Sequence, residues 1–429
     1  MIFVLKFDVV IIGSGILGTS LSYWISALTN HTVCVIEKEN HVAAHASSRN
    51  TGVVHSPFYL DPQKKKKIAK AALLSHDLWQ DYAKKHHISW KDTGTIELAL
   101  DESQHHTLEK YLKWGHQNGL DDNDLELLDS GQVKQREPNV RCHSGLFCKK
   151  DASTDYGILT EQLFQESQKN GTQFLFSSKI EKIQNQTITL SNGQNLECDY
   201  LINCAGGHSL TIAKKLGLAK EYSSLHFRGE YWQINEPNAS LVSTNIYTVA
   251  KFPKFPFLDP HWIKRSDGRT EIGPNAVPVS DPEAYSGLGI SKSLTKIAEL
   301  LSGSSKKLLL NSEFLSLVSK EWKSSISKNN MINRVKEFIP KIKPSYFTTR
   351  GTAGIRTPII TEKGEFLAET LEVQSDHSLH IINYNSPGAT GAPVYSAFLV
   401  QQLFDSGVIS QSKSVKPDSW NYAKIIDSL

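Results

Sequence analysis

The residues Gly13-Ser14-Gly15-Ile16-Leu17-Gly18, with Glu37 beyond them, have the types and spacing to hold a dinucleotide. Gly13 permits a tight turn, Gly15 lets backbone approach a pyrophosphate, and Gly18 lets a helix pack closely on a strand. Glu37, followed by Lys38, stands near the offset of about 20 residues expected of an acid that binds a ribose hydroxyl. This chemistry requires an apolar strand to deliver the glycines and a helix to start among them, so that free N–H groups and the positive dipole end face the phosphates. Phe7–Ile12 supplies the strand, Ile16 and Leu17 open the helical pattern, and Thr32–Ile36 supplies a second strand that ends at Glu37. The opening segment therefore predicts a βαβ nucleotide-binding unit, with NAD and FAD both open at this point.

A chain of 429 residues exceeds what one core usually serves, and a hydrophobic share of 39% with 21% charged residues describes a globular protein. A formal charge of +3 is too small to argue for nucleic acid as a partner. No apolar run approaches the roughly 20 residues that span a bilayer, and no signal-peptide pattern precedes the first strand. The five cysteines form no CxxC pair, so neither a disulfide framework nor a metal site is expected, which fits a reducing cytoplasm. Lys64-Lys65-Lys66-Lys67 is the one dense basic block and opens a helical segment. It reads as a solvated face, with anionic lipid at the inner membrane face or a redox partner as the alternative.

Farther along, Ala43–Val54 is small and polar, and its residues Ser48, Arg49, Asn50, Thr51 and Gly52 lie where a long cofactor would run on from the pyrophosphate. Residues 101–140 are expected to be helical, and Leu175–Leu196 to form short strands around an Asn192-Gly193 turn. Tyr200–Gly207 then reads as a second strand–glycine–helix unit, with Ala205 and Gly206 at its turn. Leu225–Val279 is strand-rich and aromatic, suggesting an antiparallel sheet over a site. Near the C-terminus the loop Pro387-Gly388-Ala389-Thr390-Gly391 precedes a predicted helix over Val394–Phe404, with Pro393 in its first turn.

An N-terminal nucleotide motif, a distant second strand–glycine unit and a glycine-rich helix start together favour FAD over NAD. A flavin is long and takes contacts from distant parts of a chain, and a helix N-terminus suits its anionic reduced ring. The expected fold is α/β, with α+β character in the second domain: a Rossmann-like FAD-binding domain interleaved with an antiparallel-sheet substrate domain. Residues 1–90, 145–222 and 335–429 are assigned to the first, and 91–144 and 223–334 to the second.

Across nearly its whole length the chain resembles the D-amino acid oxidase/glycine oxidase superfamily of FAD enzymes. The likeness is nearest to the L-2-hydroxyglutarate oxidases and dehydrogenases. The closer resemblance is carried by Asn50-Thr51-Gly52-Val53-Val54-His55, by Leu127-Leu128-Asp129 through Glu137-Pro138-Asn139-Val140, and by Phe227-Arg228-Gly229-Glu230-Tyr231. Phe255-Pro256-Phe257-Leu258, Gly273-Pro274-Asn275-Ala276, Ala353-Gly354-Ile355-Arg356 and Asn385-Ser386-Pro387 continue it.

The resemblance implies oxidation of a 2-hydroxy acid at C2, with oxygen or a quinone as final acceptor. That reaction needs a cation for the carboxylate, for which Arg228 and Arg356 are the candidates, since a guanidinium binds both oxygens at once. It also needs a base for the hydroxyl proton, and His55 and His261 are the histidines placed to serve. Tyr231 and Asn275 are candidate substrate hydrogen-bonders, with a core or interface role equally open for Tyr231. Oxidation of an amino acid or secondary amine on the same fold, and a flavin-bearing binding module without turnover, are the alternative readings.

Overall fold

The computed structural model describes residues 4–252, 254–255, 259–287, 305–413 and 420–428. The opening unit forms as β1 (Leu5–Ile12), α1 (Ile16–Leu28) and β2 (Val33–Ile36), with the two strands parallel. Val9, Val10 and Ile11 are wholly buried, as a parallel strand covered on both faces must be. Here β1 lies inside an eight-stranded sheet, between β2 and Asn195–Asn203, with Gln173–Leu175 outside β2. Asn195–Asn203 pairs on its other side with Thr187–Leu190 over one half and with Ser378–Ile382 over the other. The Asn192-Gly193 turn joins Thr187–Leu190 to that strand, Gly193 taking φ +82°.

A second eight-stranded sheet runs Phe347–Arg350, Trp232–Ile234, Thr270–Gly273, His261–Lys264, Asn245–Thr248, Thr95–Ala99, Ser144–Cys148, Leu125–Asp129. Its neighbours are antiparallel except Asn245–Thr248 on Thr95–Ala99. Ile96, Leu98, Trp262 and Ile272 pack on Met331, Ile332 and Val335 of the helix Lys328–Lys336, giving this sheet a core of its own. The expected α/β architecture with an antiparallel companion is thus what the chain adopts. Ser144–Cys148 and Phe347–Arg350 pair in the second sheet, although the divisions at 145 and 335 place most of them in the cofactor domain.

Two local expectations are corrected, and one motif lies largely outside the described residues. Residues 101–140 are not all helix: Leu125–Asp129 is an edge strand between the helices Glu102–Gln117 and Ser130–Arg136. Asp129 ends that strand and caps the next helix, its side chain accepting from Gln132 N–H in a capping box. The C-terminal helix begins at Gly388, not Val394, so Pro393 lies inside it. Of the motif Phe255-Pro256-Phe257-Leu258, only Phe255 is within the described residues.

A proline inside a helix leaves an acceptor without its donor one turn back and displaces the neighbouring bonds. Trp79 resolves this, its indole N–H lying 3.3 Å from Ala389 O and 2.9 Å from Thr390 O. Val394 N–H donates to Ser75 Oγ (3.2 Å), so the helix Lys66–Lys85 re-satisfies the bend from its own side. We expect Trp79→Phe to lower stability by about 1–3 kcal/mol, the cost of buried carbonyls left unpaired, read as a fall in denaturation midpoint.

Candidate active site

Both sheets face one cavity of about 840 Å³, which lies within the size of small-molecule and cofactor sites, about 300–1,000 Å³. At one end stand Gly13, Gly15, Ile16, Leu17, Glu37 and Lys38; Arg49, Asn50 and Thr51 run along it, with Ala205 and Gly206 opposite. At the other end lie Pro387, Gly388, Ala389 and Thr390. The helix that starts at Gly388 has no side-chain cap, and its first intrahelical N–H bond is Gly391 to Pro387 O, so among the described residues the preceding N–H groups are without an acceptor and can face the cavity.

The nucleotide end is shaped by close approach of bare backbone. Gly13 has φ +97°, and a Cβ there would stand 2.6 Å from Cys204 O; a Cβ on Gly15 would stand 3.1 Å from Ser47 Oγ. Glu37 is buried, its Oε2 accepting Ser14 N–H and Oγ–H at 2.8 Å each, which ties the acid to the glycine turn. We expect Gly13→Ala to lower cofactor affinity at least about tenfold, because a side chain at positive φ costs roughly 1 kcal/mol before the clash is counted; bound flavin per purified chain is the measurement.

Four expected cofactor residues act behind the wall, outside the residues that line the cavity. Gly18 abuts Gly13, where a Cβ would stand 2.0 Å from the carbonyl oxygen, and Gly52 (φ +75°) turns against Thr154 O. Ser48 Oγ donates to Ala43 O (2.7 Å), and Gly391 lies against Ala71 and Ala72 of the neighbouring helix. Ser47, not singled out from sequence, is the serine that lines the cavity, and its Oγ accepts Ile16 N–H (2.9 Å).

A polar cluster closes the side near Lys38. The Lys38 ammonium bonds Glu283, lies 2.6 Å from Glu39 Oε1 and 3.0 Å from His45 Nε2, and Glu283 Oε1 also meets His208 Nε2 at 2.6 Å. Glu39, His45 and Glu283 are near enough together to share a metal ion, but the positive charge among them is the Lys38 ammonium itself. Arg49 lies over the Tyr285 ring at 4.1 Å, so segment 281–287 is latched across the cavity from two sides.

The chemical end gathers His55, Tyr247, His261, Tyr231 and Arg356 on the cavity wall. Thr390 Oγ1 accepts His55 N–H (3.2 Å), fixing that histidine to the start of the C-terminal helix. His55 Nδ1 lies 3.3 Å from Asp151 Oδ2, and its ring meets Tyr247 and Tyr59 edge-on. His261 is stacked on Tyr247 with ring centroids 3.9 Å apart; among the described residues its buried Nδ1 has no hydrogen-bond partner. Burial, helped by the charge of His55, takes the His261 pKa down to about 3. Arg356 sits beside Tyr59, and burial draws its pKa below the ordinary guanidinium value. Tyr231 packs with Val53 and Ile263, and burial pushes its phenol up to about 12.

Arg228 is not at the cavity. Its guanidinium is held by Glu230 (Nε 3.1 Å, Nη2 2.9 Å) and donates to the carbonyls of Ala284, at 3.0 Å, and Gly287. It therefore anchors segment 281–287 and cannot take a substrate carboxylate. Asn275 edges the cavity, but its amide is committed to Glu230: Oδ1 accepts the backbone N–H at 2.9 Å and Nδ2 donates to Oε2 at 3.0 Å.

Sequence reasoning missed Asp151 and Tyr247. Asp151 is 96 positions from His55 and has no motif around it. Tyr247 sits in Asn245–Thr248 beside the strand of His261, and alternation along that strand was the available signal.

Residues 8–402 match the DAO family, described as FAD dependent oxidoreductase. A mitochondrial L-2-hydroxyglutarate dehydrogenase of Caenorhabditis elegans is 30% identical over 422 residues, covering 95% of this chain and 94% of that protein. The L-2-hydroxyglutarate dehydrogenase of Escherichia coli strain K12 is 26% identical, with 92% and 93% covered. Among solved structures, dithionite-reduced L-alpha-glycerophosphate oxidase of Mycoplasma pneumoniae with FAD bound aligns at a TM-score of 0.72 and 19% identity, covering 97% of this chain and 98% of that one. Glycine oxidase of Geobacillus kaustophilus aligns at 0.70 and 16% identity, with 96% and 100% covered. At these identities the structural likenesses show the fold.

Proposed function

Because this chain belongs to the DAO family of FAD-dependent oxidoreductases, we propose that it oxidises the C2 hydroxyl of L-2-hydroxyglutarate to give 2-oxoglutarate. The observation that carries this reading is the meeting of one guanidinium, Arg356, and one acid-paired histidine, His55, at the cavity end where the Gly388 helix begins. FAD, when bound, supplies the acceptor for two electrons and the C2 hydrogen.

Arg356 takes the C1 carboxylate through two N–H groups, fixing C2 with its hydroxyl toward the histidines. His55 Nε2 removes the hydroxyl proton as the C2 hydrogen departs with its electron pair, and the C–O bond becomes the keto group. His261, neutral across the physiological range, offers the substrate oxygen a hydrogen bond without competing for its proton. Tyr247 and Tyr231 wall the site and exclude water. The free N–H groups at Gly388–Thr390 present the positive helix end to negative charge arising there.

The test is anaerobic addition of L-2-hydroxyglutarate to the yellow protein, followed as loss of flavin absorbance near about 450 nm. D-2-hydroxyglutarate, lactate, malate and glycine serve as comparisons. Bleaching by L-2-hydroxyglutarate ahead of the others is expected, and its absence overturns the reading. We assign reoxidation to oxygen or a quinone; the rates at which each restores the yellow colour distinguish them. Among the described residues no helix is long and apolar enough to cross a membrane.

A further inference from the structure

We propose that Asp151 is the positioning residue that makes His55, rather than His261, the proton acceptor, by holding its imidazole as the Nδ1–H tautomer with Nε2 toward the substrate. The inference rests on the oxidation reading above and assigns the division of labour between the two histidines.

Asp151 is completely buried, and a carboxylate withdrawn from water persists only where donors surround it. Its Oδ1 accepts Ser56 N–H (2.7 Å) and the Cys148 thiol (3.3 Å), while Oδ2 faces His55 Nδ1 (3.3 Å). One carboxylate thus grips two consecutive residues, the backbone of Ser56 and the ring of His55. An ionised carboxylate only accepts, so Nδ1 must carry the hydrogen and Nε2 the lone pair. Among the described residues Nε2 has no hydrogen-bond partner, and His55 lines the cavity.

The surrounding groups keep the negative charge on Asp151. Burial raises its pKa, but the bonds from His55, the charge of His55, and Ser56 and Thr95 outweigh it, leaving the carboxyl below its ordinary value. Glu97, on the strand Thr95–Ala99, behaves oppositely: burial, then repulsion from Asp151, pushes it up to about 8. At neutral pH Glu97 is therefore mostly protonated and adds no second charge. Tyr59, Tyr156 and Tyr247 also face this pocket, all with phenols pushed up by burial and so neutral. Arg356 is the cation on the substrate side.

His261 lacks every part of this arrangement. Among the described residues its Nδ1 meets no acceptor, and Asp259, the acid whose charge acts on it, is already engaged by Arg334 at 2.7 Å and Lys320 at 3.6 Å. An imidazolium at His261 would share Asp259 with two cations already on it, whereas one at His55 forms directly against Asp151.

The experiment uses the FAD-loaded full chain. Asp151→Asn keeps the shape but reverses the preferred tautomer, because the amide can donate to Nδ1. Expected are a fall in the anaerobic flavin-reduction rate with L-2-hydroxyglutarate of about 10²–10⁴-fold, little change in substrate Kd, and an acidic limb of the rate–pH profile moved to lower pH. Asp151→Glu recovers part of the rate. A wild-type rate with an unmoved profile in Asp151→Asn overturns the proposal. As a second measurement on unaltered protein, the ¹⁵N spectrum of labelled histidine, assigned with His55→Asn, is expected to show His55 protonated at Nδ1; protonation at Nε2 alone overturns the proposal. If wild type itself is not reduced by L-2-hydroxyglutarate, the substrate reading fails, and the spectrum still decides the role of Asp151.

Discussion

Arg356→Met lowers kcat/KM for L-2-hydroxyglutarate by about 10²–10⁴-fold, with most of the loss in substrate Kd. Two charge-assisted hydrogen bonds are removed, each worth roughly 1.5–3 kcal/mol, and the carboxylate loses the guanidinium that stands beside His55 and Tyr59 at the chemical end of the cavity. The substitution should not disturb the strand, because Gly354–Arg356 is fixed by backbone pairing to His226–Gly229, with Arg356 opposite Phe227. Gly354 also packs against Arg49, where a Cβ would stand 2.1 Å from the carbonyl oxygen, so the segment is held from both sides. Arg356→Lys keeps the charge but loses the planar fork, and about 10–100-fold loss is expected of it. The C1 amide of the same substrate provides the cross-check. It lacks the charge that Arg356 binds, so wild type and Arg356→Met should handle it within a few-fold of each other. An unchanged kcat/KM for the acid in Arg356→Met would remove Arg356 from the site.

The nucleotide half of this site could be read from sequence because its demands are local. Gly13 at positive φ, Gly15 facing Ser47 and Gly18 against Gly13 O answer to backbone geometry within one βαβ unit, so their spacing is nearly the structure itself. The catalytic half depends on contacts between distant segments. His55 needs Asp151 from the turn just before the strand Ala152–Thr154, Thr390 from the last long helix and Tyr247 from the second sheet, and no residue type foretells those meetings. Arg228 is the instructive failure, for its motif drew attention to a cation where the structure has a closed ion pair. Arg228 and Glu230 are two apart in an extended run, and that spacing puts both side chains on one face. The pair was therefore visible, and a guanidinium with a carboxylate two residues on is already satisfied. Pro393 misled for another reason: a proline usually marks a helix start, and only the Trp79 indole and the Ser75 hydroxyl allow it five residues inside one.

His55→Asn lowers the rate of anaerobic flavin reduction by about 10²–10⁴-fold and leaves substrate Kd within a few-fold of wild type. The asparagine amide can still donate to Asp151, so the buried carboxylate keeps a partner and the fold keeps its charge balance. What disappears is the lone pair at Nε2, and with it the acceptor for the hydroxyl proton. Arg356 still binds the carboxylate, which is why Kd should hold while the chemical step slows. His261→Asn is the necessary contrast. A histidine whose pKa lies near 3 is a poor proton acceptor at neutral pH, so its loss costs one hydrogen bond, about 0.5–1.5 kcal/mol or roughly 2–13-fold. The stacking on Tyr247 makes some loss of stability expected in that variant, and a denaturation midpoint measured beside the rate separates packing from chemistry. A large rate loss in His261→Asn with near-normal rates in His55→Asn would transfer the base to His261. The asymmetry expected instead follows from one structural difference: two imidazoles flank the same tyrosine, and only one of them has a buried carboxylate at its back.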